Sequence, residues 1–297
     1  MTSVIVTVPP YAPFLKEVAR HPVVSGLRLN TVMPVKEPLD VLLKRLKEEA
    51  KEKEVWIDLK GRQLRTVGYW TPPFTEVRLN HRIKVNTPVE AYFGNGREHV
   101  TLVGIDGNRL LFLEGPKRVV GPGESLNIRD PSLEIEGYLT KKDFQYIEAG
   151  ITAGVHTYML SFVESVSDSE ALRKLDPAAV IAEKIESKKG LEYVASEYDG
   201  KNRLMAARGD LYAEVDMPHD ILAAMDLMIK KDPNVIAASR VCSSLAESLE
   251  PSCSDISDVA YLIRTGYKTL MLGDEVCLRR DSVISALNLI EAIQASG

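Results

Sequence analysis

The chain has 297 residues, 45% of them hydrophobic and 27% charged, which is an ordinary composition for one large globular domain or for one that carries a small second domain. Its formal net charge of −5 excludes a general electrostatic attraction to nucleic acid or to an anionic membrane, so an anionic ligand must be held by a few local cations. The sequence has no run of about 18 apolar residues, which excludes an obvious transmembrane helix.

Short β-branched runs alternate with amphipathic patterns along most of the chain. Predicted strands cover residues 4–8, 26–30, 55–58, 157–162, 180–186, 203–207, 234–239 and 269–272. Between them, apolar residues recur every three to four positions, which is typical of helices that pack one face on a sheet. Such alternation predicts a parallel sheet covered by helices, and eight strands is the number that closes a TIM (β/α)8 barrel. A doubly wound open sheet is the alternative.

Residues 71–125 interrupt this alternation. An Asn-Gly pair at 95–96 and an Asp-Gly pair at 106–107 lie between apolar runs, which is a strong signal for hairpins. We therefore predict a small all-β domain here, inserted after strand 3 of a barrel formed by residues 1–70 and 126–297. An insertion at that point projects from the rim where barrels keep their active sites, and we expect it to act as a lid.

Polar side chains cluster where the predicted barrel strands end. They are Arg28, Asn30, Asp58, Lys60, Ser161, Lys184, Glu186, Arg208, Asp210 and Ser239, together with the turn residue Gly209. In a barrel the carboxyl ends of the strands surround one pocket. A structural network could explain any one of these residues, but their convergence at the same end favours a functional site.

Lys184 and Glu186 are separated by one residue, so their side chains point to the same face of a strand. A carboxylate there can hold a metal, while the ammonium stabilises negative charge that develops on a reacting oxygen. Asp210, after the next strand, can supply a second carboxylate for Mg²⁺, which binds few protein ligands. The alternative interpretation is a Lys184–Glu186 ion pair with Asp210 capping a helix.

Two motifs resemble those of the pyruvate kinase family. Residues 181–190 read IAEKIESKKG and residues 203–211 read RLMAARGDL, which is similar to the family's KIE motif followed by ARGDL. GLRLN at 26–30, IDLKGRQLR at 57–65 and LSFVESVSD at 160–168 resemble further segments of its barrel. The resemblance covers nearly the whole chain and implies a catalytic barrel with a shortened lid. We expect no C-terminal regulatory domain.

The resemblance also implies roles for individual residues. Glu186 and Asp210 would bind Mg²⁺ or Mn²⁺. The implied catalytic residues are Lys184, Arg28 and Ser239, and the implied substrate-binding residues are Gly209, Asp210, Ser239 and Arg28. Lys184 would meet the transferring phosphoryl group and Arg28 its phosphate oxygens. Arg65 and Asn30 are assigned to the nucleotide, and Asn30 with Asp58 to a monovalent cation.

Four positions depart from the family pattern. Val32 stands where the family has a cation-binding serine and Gln63 where it has a glutamate, so a potassium requirement does not follow from the resemblance. Glu124 replaces a lid lysine and Glu164 a basic residue beside the pocket. Two added negative charges disfavour an incoming polyphosphate, so we expect weakened nucleotide binding.

The first functional hypothesis is a pyruvate kinase-like phosphotransferase that uses Mg²⁺, phosphoenolpyruvate or pyruvate, and ADP or ATP. A metal-dependent lyase or aldolase acting on pyruvate or another oxo acid is the second, and a non-catalytic protein that binds a phosphometabolite is the third. Three cysteines without a CxxC pair, and an N-terminus unlike a signal peptide, favour a cytoplasmic protein. The sequence leaves open whether the chain forms a homo-oligomer.

Overall fold

The computed structural model describes residues 2–94 and 98–295. The chain forms two compact units, one made of Met1–Leu59 with Phe144–Gly297 and the other of Lys60–Asp143. Each unit has a hydrophobic core of its own. Within the two described ranges no helix is long and apolar enough to cross a membrane.

The elements follow one another in a regular order. Strands β1 to β15 are Ser3–Val6, Val24–Asn30, Glu54–Leu59, Glu76–Arg78, Ile83–Lys84, Val89–Phe93, Glu98–Asp106, Arg109–Phe112, Leu126–Ile128, Glu134–Ile135, Thr157–Leu160, Val180–Ile185, Arg203–Ala207, Ile236–Ala238 and Thr269–Leu272. Helices α1 to α10 are Leu15–Ala19, Leu39–Ala50, Lys141–Ala153, Val166–Leu175, Lys188–Ser196, Arg208–Glu214, Asp220–Lys231, Cys253–Thr265, Asp274–Cys277 and Arg280–Ala295, with a 3-10 helix at Ser243–Ala246.

Eight parallel strands of the first unit close into a barrel. Their order is β1-β2-β3-β11-β12-β13-β14-β15, with β15 pairing back to β1. The predicted TIM barrel is therefore confirmed, and the open-sheet alternative is wrong. The helices that cover it bury the apolar faces expected from the sequence, as in α2, where Leu42, Leu43 and Leu46 are buried.

The barrel strands place interior and site residues on one face. Trp56, Met159 and Ala182 belong to a single buried cluster inside the barrel. Each is followed two positions later by a polar residue at the carboxyl end of its strand, and these are Asp58, Ser161 and Lys184. Because side chains alternate along a strand, the polar residues lie on the same inner face as the apolar ones. The barrel core thus forms the floor of a polar layer.

In the second unit, the described residues 60–94 and 98–140 form β-strands and connecting loops, and α3 begins at its end. An antiparallel sheet runs in the order β4-β8-β7-β6-β9, and β5 pairs with β10. Its core includes Phe93 and Phe112, whose ring centroids are 5.6 Å apart in an edge-on arrangement. The predicted insertion at residues 71–125 falls inside this unit, and those boundaries stay a prediction. The Asn-Gly pair at 95–96 lies outside the described residues.

Candidate active site at the carboxyl end of the barrel

Asp58 is the centre of a buried ionic network. Its side chain is fully buried at the end of β3. Arg28 of β2 donates to Asp58 Oδ2 from Nε at 3.1 Å and also from Nη2. Lys184 Nζ of β12 lies 3.3 Å from Asp58 Oδ1. One carboxylate therefore joins two cations from two other strands of the barrel, which holds both side chains in place.

Lys184 also contacts Ser161 and Glu186. Its Nζ donates to Ser161 Oγ at 2.8 Å and lies 3.1 Å from Glu186 Oε1. Burial opposes the charged form, but the carboxylates of Asp58 and Glu186 outweigh it and raise the pKa of the Lys184 ammonium. The site therefore keeps a permanent positive charge in a nearly dry position. A fixed charge of this kind can stabilise an oxyanion without first having to reorganise.

Opposing electrostatic effects act on the carboxyl group of Glu186. Its Oε2 accepts a hydrogen bond from the backbone N–H of Phe162 at 2.9 Å, and Oε1 faces Lys184. Burial raises the pKa of Glu186 to about 7, the ammonium of Lys184 opposes this rise, and the nearby charge of Asp210 adds to it. Two carboxylates that repel each other, one buried and one half-buried, are a donor set that a cation stabilises.

A divalent metal fits this pair of carboxylates. No group of three or more His, Cys, Asp or Glu side chains is arranged to hold a metal among residues 2–94 and 98–295, so a cage made only of protein ligands does not occur there. Mg²⁺ does not require such a cage, because one or two carboxylates, waters and substrate oxygens satisfy it. Glu186 and Asp210 are the residues that could hold it.

The turn after β14 faces the start of α6. Ser239 and Arg240 both have a left-handed backbone, with φ of 66° and 59°. A Cβ added to Gly209 would lie 3.3 Å from both Cβ and Oγ of Ser239, so the two residues are in close contact and glycine provides the space. The predicted pairing of Ser239 with the backbone of Gly209 and Asp210 is thus geometrically available.

The comparison with protein families identifies the fold and its relatives. A family model described as "Pyruvate kinase, barrel domain" matches residues 92–278. The chain belongs to the pyruvate kinase family. Similar relatives are the pyruvate kinases of Thermoplasma acidophilum, 24% identical over 98% of this chain and 57% of the relative, and of Thermotoga maritima, 26% identical over 80% and 57%. A pyruvate kinase of Agrobacterium vitis is 30% identical over 67% of this chain and 43% of the relative. The chain thus spans about 57% of the length of the first two.

The residues predicted for a monovalent cation are occupied by protein partners in this family member. Asn30 Nδ2 donates to Asp274 Oδ2 at 2.8 Å, and its Oδ1 accepts from the Val32 N–H at 3.3 Å. Asp58 is bound to Arg28 and Lys184. Any monovalent cation at Asn30 and Asp58 would have to compete with these contacts.

The predicted nucleotide contact Arg65 belongs to the second unit. Its Nε donates to Gln63 Oε1 at 2.8 Å, and Nη1 donates to the Gly123 carbonyl. In the same unit, Glu124 accepts two hydrogen bonds from Arg118, one of them at 3.0 Å. Arg118 Nε also lies 3.0 Å from Glu98 Oε2, so this one arginine offsets the charge of Glu124 only in part.

The other added carboxylate, Glu164, also has a partner. Its Oε1 accepts a hydrogen bond from Ser187 Oγ at 2.7 Å. Ser187 is the N-cap of α5, so Glu164 is tied to the segment that follows Glu186. The expected effect of Glu164 on the binding of a polyphosphate stays a prediction.

Two residues of the site, Thr7 and Asp274, are not among those predicted from the sequence. Arg28 Nη1 donates to Thr7 Oγ1 at 3.1 Å and lies 3.5 Å from Asp274 Oδ2. Thr7 follows β1 directly, and Asp274 follows β15 after one glycine. A signal for both existed, because each is a polar residue at the carboxyl end of a barrel strand. The predicted site residues follow the second to the seventh barrel strands, so Thr7 and Asp274 are not among them.

Proposed function

We propose that this protein is a metal-dependent phosphotransferase of the pyruvate kinase type, which moves a phosphoryl group between phosphoenolpyruvate and ADP. The observation that carries this proposal is the buried ammonium of Lys184, held among Asp58, Ser161 and Glu186. Phosphoryl transfer requires mainly positioning and neutralisation of charge, and a fixed, desolvated cation beside a metal-binding carboxylate supplies both.

The proposed metal ligands are Glu186 and Asp210. When bound, Mg²⁺ would neutralise charge on substrate oxygens. Lys184 would meet the oxygens of the transferring group, and Arg28 would bind the phosphate. The raised pKa of Glu186 is consistent with a carboxylate that ionises fully only beside a cation.

The proposed substrate carboxylate site is the Gly209–Ser239 contact. The backbone N–H groups of Gly209 and Asp210 belong to the first turn of α6, and Ser239 Oγ lies close to Gly209. Hydrogen bonds from these groups would hold the acid end of a three-carbon substrate while its other end reacts. Arg65 and Asn30 are the proposed nucleotide contacts, and ADP or ATP is the proposed partner.

A direct assay tests this function. Pyruvate formation is measured with phosphoenolpyruvate, Mg²⁺ and ADP, and again with each component omitted. Thermal unfolding is measured in parallel with phosphoenolpyruvate, pyruvate, oxalate, ADP or ATP alone, because a ligand that binds the folded state raises its apparent stability. We expect pyruvate formation that requires all three components. Ligand binding without turnover would support the non-catalytic hypothesis instead.

A second candidate function is a metal-dependent lyase or aldolase that acts on pyruvate or another oxo acid. The observation that favours it is the state of Arg28, which already contacts two carboxylates, those of Asp58 and Asp274. An arginine that is neutralised within the protein is a poorer site for phosphate. Turnover of an oxo acid without any nucleotide would support this candidate.

A further inference from the structure

Asp274 lies where the proposed phosphate group would bind. It is the first residue of α9, just beyond the end of β15. Its Oδ2 accepts a hydrogen bond from Asn30 Nδ2 at 2.8 Å and lies 3.5 Å from Arg28 Nη1. The Asp274 carboxylate therefore already contacts two side-chain donors, those of Arg28 and Asn30, that an anionic ligand could use.

Exposure distinguishes the two carboxylates that contact Arg28. The side chain of Asp58 is 0% exposed, whereas that of Asp274 is 36% exposed. An incoming ligand can therefore reach the side of Arg28 that faces Asp274, while Asp58 is inaccessible. The Arg28 guanidinium thus contacts one buried carboxylate, that of Asp58, and one partly exposed carboxylate, that of Asp274.

The contact of Asp274 with Arg28 is also weaker than that of Asp58 with Arg28. Its separation of 3.5 Å from Arg28 exceeds the usual range of about 2.7–3.2 Å for an N–H···O hydrogen bond. Its Oδ1 is buried and has no hydrogen-bond partner among residues 2–94 and 98–295. An unsatisfied buried oxygen costs free energy. The Asp274 carboxylate is thus the partner of Arg28 that a better anion could replace.

A phosphoryl group and the Asp274 carboxylate require the same surroundings. Both are anions with acceptor oxygens, and both are served by Arg28 Nη1 and Asn30 Nδ2. A phosphoryl dianion that approached these donors would meet the charge of Asp274 at short range, and like charges repel. The carboxylate end of a substrate held at Ser239 makes no use of these donors.

We infer that Asp274 is a specificity-determining residue, which competes with a phosphoryl group for Arg28 and Asn30. It lowers the affinity for a phosphorylated three-carbon acid and leaves that for the unphosphorylated acid unchanged. This inference rests on the proposed function for the position of the phosphoryl group at Arg28. It predicts that the unmodified protein binds phosphoenolpyruvate less tightly than the Lys184–Glu186 centre alone would allow.

Calorimetric titration of three ligands tests this role. Inorganic phosphate, phosphoenolpyruvate and oxalate are titrated in saturating Mg²⁺ against the full chain and against D274N and D274G. D274N keeps an acceptor for Asn30 and D274G removes the side chain, so the pair separates charge from packing. E275Q, which neutralises the adjacent exposed carboxylate, is the matched control.

We expect phosphate and phosphoenolpyruvate to bind about tenfold more tightly to both Asp274 variants, which corresponds to ~1.4 kcal/mol. Oxalate affinity should stay within about twofold, as should every affinity of E275Q. Phosphate affinity that is unchanged, lower or unmeasurable in both folded Asp274 variants overturns the inference, and so does an equal gain for oxalate. Absence of oxalate and Mg²⁺ binding, with the phosphate gain present, would refute the proposed function and leave the role of Asp274 standing.

Discussion

Arg208 forms a bidentate ion pair with Asp258, with Nη1–Oδ1 at 2.7 Å and Nη2–Oδ2 at 2.9 Å. Its Nε donates a hydrogen bond to the Ser239 carbonyl at 3.2 Å. Asp258 lies in α8, whose start is fixed by a capping box between Ser252 and Asp255. The arginine therefore connects the end of β13 to the left-handed turn after β14. Through its hydrogen bond to the Ser239 carbonyl, it orients this turn.

Asp258→Asn should weaken oxalate binding and leave metal binding intact. The amide loses the charge-assisted pair with Arg208, so the Ser239 turn is held less firmly. We expect a loss of about tenfold in oxalate affinity, since the side chain of Asp258 is 30% exposed and water screens part of the effect. Mn²⁺ affinity and oxalate affinity are measured by calorimetry. Asp226→Asn, at an exposed position on α7, is the control, and equal behaviour of the two variants would contradict a positioning role.

Glu186→Gln should abolish binding of Mn²⁺ or Mg²⁺. The amide offers a weaker, neutral ligand, and removal of one of the two carboxylates leaves Asp210 alone. Calorimetric titration with Mn²⁺ measures the loss, and circular dichroism checks that the barrel remains folded. Glu183→Gln is a matched control, because Glu183 is also buried on β12 but lies on the outer face. Unchanged metal affinity in Glu186→Gln would show that the metal is elsewhere.

Lys184→Met should reduce turnover strongly. Removal of one preorganised charge at a developing oxyanion typically costs about 10²–10³ in rate. Lys188→Met, at an exposed lysine paired with Asp216, should retain activity. Steady-state kinetics measures both variants, after thermal unfolding has established that each is folded. Turnover of Lys184→Met within a few-fold of the unmodified protein would exclude a catalytic role.

Glu183 should make stability depend on pH. Its carboxylate is fully buried and accepts hydrogen bonds from Ser169 Oγ at 2.5 Å, Asn202 Nδ2 at 2.5 Å and Tyr193 Oη at 2.9 Å. Burial raises the pKa of Glu183 above its usual value of 4.5, although the three hydrogen bonds oppose the rise. A raised pKa means that the folded state binds the proton more tightly than the unfolded state.

The contribution of Glu183 to stability is therefore complete below pH 4.5 and is lost as the pH rises through its folded-state pKa. Glu183→Gln removes this dependence. We expect the Tm of Glu183→Gln, relative to the unmodified protein, to increase steadily from acidic to neutral pH, whatever the offset at low pH. Calorimetric unfolding at a series of pH values measures it, with exposed Glu192→Gln as control. Parallel Tm curves for Glu183→Gln and the unmodified protein would contradict the assignment.

Much of the barrel could be predicted from local pattern. Period-2 runs and amphipathic stretches alternate clearly, and strand ends such as Asn30 and Ala207 lie where the sequence places them. The shared face of Lys184 and Glu186 follows from strand geometry alone, because alternate residues project to the same side. Once the sheet closes, Arg28, Asp58 and Lys184 necessarily lie at the same end of the barrel.

Only the tertiary structure decided which of these charges meet. Arg28 and Asp274 are 246 residues apart, Arg208 and Asp258 are 50 apart, and local periodicity carries no information about such pairs. Glu124 is only six residues from Arg118, yet the ion pair between them forms only because that loop folds back. The sequence by itself determined the barrel and most of its polar rim, but not the part that Thr7 and Asp274 contribute. The partners within that rim follow from side-chain reach, burial and the need to neutralise each buried charge, which are set only when the strands have closed.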